Sequence, residues 1–110
     1  MRKEWLTMAF EKTKERYASF GAATSLPHEI IDTLWDLLDH YLKDVVPLDP
    51  ILTFQLTNKH NNVTFEYLDN KRNIFIQFDY NFPFDPFFPE IVHIIDQSGI
   101  ETLLLSHELD

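Results

Sequence analysis

Residues 51–80 read ILTFQLTNKHNNVTFEYLDNKRNIFIQFDY, and the alternation in this stretch decides the fold. Leu52, Phe54 and Leu56 alternate with Thr53, Gln55 and Thr57, the period-two pattern of a strand with one buried face. Asn58 to Asn62 is a polar turn. Val63, Phe65 and Tyr67 then point one way, and Thr64 and Glu66 the other. After a second turn at Asp69 to Arg72, Ile74, Ile76, Phe78 and Tyr80 share the next inward face. Successive hairpins of this kind predict antiparallel pairing.

Toward the C-terminus, Asn81 to Pro89 reads NFPFDPFFP. Three prolines prevent regular pairing, so the segment is expected to be a stiffened loop carrying Phe82, Phe84, Phe87 and Phe88. Some of these rings must fold back over a core edge. Two or more left in solvent would make a rigid apolar patch of the sort that marks a protein-binding site. Glu90 to Asp96 is another strand, Gln97-Ser98-Gly99 a tight turn, and Ile100 to Leu105 a last strand.

Toward the N-terminus, Pro47 and Pro50 close a helix that begins near Leu26, with Ser25 as a capping residue and Pro27 in the first turn. Ile30, Ile31, Leu34, Trp35, Leu38, Tyr41 and Leu42 recur at helical spacing and form one wide apolar face. Glu29, Asp32, Asp36 and Asp39 recur at three- and four-residue intervals, so they line the opposite face as an acidic row. Arg16 to Ala23 carries Tyr17 and Phe20 and reads as a short strand. Residues 1–15 are charged and mixed in sign, with Trp5, Leu6 and Phe10 at weak helical spacing, and are expected to form an arm or a short N-terminal helix. The whole predicts a single α+β domain over 16–110: an antiparallel sheet of four to five strands with one main helix packed on one face.

A chain of 110 residues fits one domain, and 45% hydrophobic with ten Phe is enough to furnish a core. The formal charge is −9, unevenly placed: residues 1–16 carry a net +2 and the remainder −11. Such a surface repels phosphates, so direct nucleic-acid binding is not expected. Lack of cysteine excludes disulfides, thiolate zinc sites and Cys nucleophiles. No apolar run is long enough for a signal-peptide core or a membrane span, and the expected location is the cytoplasm.

The two glycines, Gly21 and Gly99, cannot build a phosphate-cradling loop, and no serine sits in a nucleophile-elbow context. His28 with Asp32 and Asp36 with His40 are spaced four apart, which suits surface ion pairs better than a metal wanting three or four converging ligands. His93 shares a strand face with Ile91 and Ile95 and reads as a core-edge histidine. Neither catalytic residues, a metal nor a cofactor is expected.

Arg16-Tyr17, Gly21, Leu26-Pro27, Leu34-Trp35-Asp36-Leu37-Leu38-Asp39 and Leu48-Asp49 resemble the start of an uncharacterised family. Ile94-Ile95-Asp96 and Thr102-Leu103-Leu104-Leu105 ahead of the acidic tail resemble its close. This is the staphylococcal protein-of-unknown-function family numbered nine hundred and sixty, found across Firmicutes. The resemblance spans residues 16–110. It implies carriage on mobile elements, and it brings no catalytic residue with it. Gln97-Ser98-Gly99 stands where that family usually has an Asp-Gly turn, and the Phe-Pro segment is this chain's own. Two roles are in view beside a small enzyme, which no motif in the chain supports. One is a protein–protein interaction module, acting as a homodimer or on another partner, through the Phe82–Phe88 segment and the sheet edges. The other is an acidic mimic of nucleic acid that blocks a DNA-processing enzyme through Glu29, Asp32, Asp36 and Asp39.

Overall fold

The computed structural model describes residues 9–109. Strand β1 (Glu15–Ala18) leads into helix α1 (Phe20–Ser25) and helix α2 (His28–Leu37), which continues as a π-helical turn over Leu38–Leu42. Strands β2 (Ile51–Lys59), β3 (Asn62–Asp69), β4 (Ile74–Pro83), β5 (Ile91–Gln97) and β6 (Ile100–Leu105) follow, and a 3₁₀ turn covers Ser106–Glu108. The strands form one six-stranded sheet in the order β1-β6-β5-β2-β3-β4.

The α+β class and the single main helix agree with the sequence reading, but the sheet has six strands and is mixed. All five antiparallel strands are where alternation places them. The sixth is β1, which pairs parallel to β6 with Arg16 opposite Glu101 and Tyr17 opposite Thr102. Parallel pairing needs a long connection, which the whole run from α1 to β5 supplies. The sequence reading has this strand, over Arg16–Ala23, but not its place in the sheet, because a partner some eighty residues away leaves no local pattern of pairing to read.

Three boundaries also differ from expectation. The strand predicted over Arg16–Ala23 stops at Ala18, because the Ser19 hydroxyl accepts from the Ala22 amide and starts α1 instead. Ser25 is therefore the last residue of α1 and not a cap for α2, whose N-cap position is held by Pro27. Asn81 to Pro83 is strand, not loop: Pro83 pairs opposite Asn62, across a register shift between Asn62 and Thr64. A proline at the end of an edge strand forfeits no ladder bond that matters. Of the residues expected to form an N-terminal arm or helix, Trp5 and Leu6 lie outside the described residues. Ala9 and Phe10 form a turn, with Phe10 fully buried and its amide donating to Asp96 at 2.8 Å.

The core lies between helices and sheet. Ile30, Leu34, Leu37, Leu38 and Leu42 form one buried cluster with Leu52, Phe54, Leu56, Val63, Phe65, Tyr67, Val92, Ile94, Leu103 and Leu105. The helical layer is narrower than the six strands beneath it. Over β4 the inward side chains, Ile74, Ile76, Phe78, Tyr80 and Phe82, pack against the core yet remain only half-buried.

Candidate protein-binding edge

Among the described residues β4 has one neighbour, β3, so its outer backbone edge is open. It is ten residues long, and sheets normally blunt such an edge with lysine, proline, a bulge or a covering loop. Between Ile74 and Phe82 there is no lysine and no proline, and a single charge, Asp79. That charge is already engaged: Asp79 accepts from the Thr64 hydroxyl at 2.7 Å and from Lys59 at 3.0 Å. These contacts hold its carboxyl below the ordinary range, the Thr64 bond first and Lys59 after it.

The strand is held at both ends. At its start Arg72 donates to Asp69 at 2.9 Å and to Asp49 at 3.0 Å, which ties the β3–β4 turn to the segment before β2. Just past its end the Phe84 amide donates to the Asn61 carbonyl at 2.9 Å. A bound strand would therefore meet an edge ordered in advance, which lowers the entropy lost on association.

Beneath this edge runs an aromatic ledge. Tyr80 and Phe82 stack with centroids 5.7 Å apart, and Tyr41, half exposed on the π-helical turn, leans over Phe78 at 5.5 Å. Partial burial raises the Tyr80 phenol above its ordinary value, helped by Tyr41 and Asp36.

The four phenylalanines singled out from the sequence part company here. Phe82 belongs to β4. Phe84 and Phe88 fold back, meeting edge to face at 6.1 Å and packing on the core. Only Phe87 stands out, at 92% exposure. A turn explains this: the Phe88 amide donates to the Asp85 carbonyl and the Phe87 amide to the Asp85 side chain, with Pro86 second in the turn. Phe87 is thereby aimed away from the core.

The acidic row is shorter than its spacing suggests. Glu29, Asp32 and Asp36 are exposed, with Asp36 3.0 Å from His40 Nδ1. Asp39 instead takes both guanidinium nitrogens of Arg16, at 2.8 and 2.5 Å, and Lys43 at 3.2 Å. Arg16 also donates to Glu101 at 2.9 Å and lies 4.7 Å from the Trp35 ring centroid. Glu101, wholly buried, accepts a second bond from Thr13 at 2.5 Å. This Arg16–Asp39–Glu101 knot clamps α2 to the β1 edge. Sequence reasoning missed it, since its members lie far apart in the chain and only register brings Arg16 beside Glu101.

His93 sits on the other face of the sheet, its Nδ1 3.2 Å from the Leu52 carbonyl and its Nε2 3.3 Å from the Ser106 hydroxyl. Burial lowers its pKa, against a smaller opposing effect of the Leu52 bond. It pins the C-terminal turn to β2 and β5, as a core-edge histidine would. Among the described residues no group of three His, Asp or Glu side chains could hold a metal ion. No helix there is long and apolar enough to cross a membrane.

Comparison with known proteins adds kinship. The crystal structure of a protein of unknown function from Enterococcus faecalis is similar, with a TM-score of 0.85 and 31% identity, over 94% of this chain and 96% of that one. No curated protein matches. The family described as "Staphylococcal protein of unknown function (DUF960)" matches residues 15–108. That span takes in every strand and helix from β1 to the final turn, and the chain belongs to this family.

Proposed function

We propose that the chain is a protein-binding module whose partner engages the open edge of β4 and the aromatic ledge beneath it. The observation that carries this reading is the combination of an open edge, free of lysine and proline from Ile74 to Phe82, with five half-buried apolar side chains on one side of it. An added strand would satisfy the free backbone groups of β4 while its inward residues covered Ile76, Phe78 and Tyr80. In this reading the protein works by contact in the cytoplasm, without catalysis, cofactor or metal. Its partner is a protein, either a second copy of the chain or one encoded by the host or by a mobile element. Phe87 belongs to the rim of the surface and not to its centre.

The test is an inward-pointing charge on the edge. Ile76→Lys should abolish association with the partner while the fold persists, whereas Phe87→Ser should leave association nearly intact. Association that survives Ile76→Lys removes β4 from the account. Mimicry of nucleic acid is the second reading, and three exposed carboxylates on α2, Glu29, Asp32 and Asp36, support it. Asp32→Lys with Asp36→Lys should destroy binding in that case and barely alter binding through β4.

A further inference from the structure

We infer that the partner of β4 is a second copy of this chain, joined across a twofold axis at Phe78 into a continuous twelve-stranded sheet. This rests on the reading of β4 as the binding edge and adds to it an occupant and a register.

Two copies of one strand pair antiparallel only about an axis perpendicular to the sheet. Residues directly opposite each other must then face the same side. The axis must therefore pass beside a residue that lies opposite its own copy. With the axis at Asp79, the strand's only charge would face itself, which is destabilising. With the axis at Gln77, Asp79 would face Phe75, leaving a carboxylate against an apolar ring. With the axis at Phe78, Phe78 meets Phe78, Ile76 meets Tyr80 and Ile74 meets Phe82 on the ledge side. On the other side Gln77, whose amide also donates to Glu66 at 2.9 Å, meets the acceptor carboxylate of Asp79, and Phe75 meets Asn81.

The same axis sets the two ledges side by side on one face, so that each copy covers what the other leaves half-exposed. Such an isologous contact is self-complementary by construction. It also keeps like charges apart although the chain carries −9, because Asp79 is offset by Lys59 and the rest of the strand is neutral. A nine-residue ladder, Ile74 to Phe82, spans about 30 Å. With five apolar side chains from each copy beneath it, the contact is on the scale of the roughly 1,000 Å² that a specific interface needs.

Sedimentation equilibrium of the full chain should give twice the 13.1 kDa chain mass. Because the protein has no cysteine, register can be read by disulfide capture. Gln77→Cys and Asp79→Cys, each alone, should oxidise slowly, whereas a mixture of the two should cross-link efficiently. Phe78→Lys should yield a monomer, and the exposed cysteine pair keeps the test decisive if that variant does not fold. A chain that remains monomeric at about 100 μM overturns the self-pairing. So does cross-linking of either cysteine variant alone as fast as the mixture. A monomer that loses another captured protein on Ile76→Lys overturns the dimer and leaves β4 as a binding edge. A monomer indifferent to that change overturns both.

Discussion

Arg16 joins β1 to β6 and to the helical layer through two carboxylates. It neutralises Glu101, which is fully buried, and Asp39, which is partly so, while lying against Trp35. The carboxylates raise the guanidinium pKa further above its already high value, Asp39 being the largest influence and desolvation opposing it. Removing one partner of a buried pair leaves an uncompensated charge, so Arg16→Ala should lower unfolding free energy by about 3 kcal/mol in urea titration. Arg16→Lys should restore only part of that, because a single ammonium cannot bridge two carboxylates in the planar forked geometry. His93 gives a pH signature. Its folded pKa is depressed, so the unfolded chain takes up the proton first as pH falls, and stability drops below about pH 6.5. Urea midpoints measured between pH 7.5 and 5 should decline, and His93→Gln should flatten that decline. Gly99 closes the β5–β6 turn at φ +94°, where a Cβ would approach the Lys12 carbonyl to 2.7 Å. Gly99→Ala should therefore cost about 1–2 kcal/mol by the same titration.

At the scale of elements, the legible part of the molecule is the part with local period. Alternation from Leu52 to Tyr80 and from Ile91 to Leu105 gives five strands in their places, and helical spacing from Ile30 to Leu42 gives the main helix with its apolar side inward. Strand β1 was read too long, since Tyr17 and Phe20 share a β-forming character while only the first of them is in the strand. Ser19, whose hydroxyl caps α1, is the reason. For the candidate site, the sequence reading named Phe82, Phe84, Phe87 and Phe88. It could not tell inward from outward rings, because that depends on the turn at Asp85 and on contacts with Asn61. Phe84→Ser should accordingly destabilise by about 2 kcal/mol through lost apolar burial, while Phe87→Ser should stay within about 0.5 kcal/mol of the parent. Thermal or urea unfolding of the pair distinguishes a packed ring from an exposed one.

For the whole molecule, the asymmetry between its two sheet edges matters most. At the β1 edge, four residues long, Arg16 is clamped to Asp39 and Glu101. The β4 edge is ten residues long, nearly neutral and backed by aromatic rings that the helices only partly cover. Those differences make β4 the place where a second sheet would add, and the central claim is that it does. Hydrogen exchange of the backbone amides of Ile74–Pro83, followed in the full chain from dilute to concentrated solution, tests this most directly. The expected result is that exchange over β4 slows about tenfold or more as protein concentration rises, while Ile100–Leu105 in β6 is unchanged. Exchange over β4 that is equally fast at every concentration, and stays so when any captured protein is bound, would contradict it.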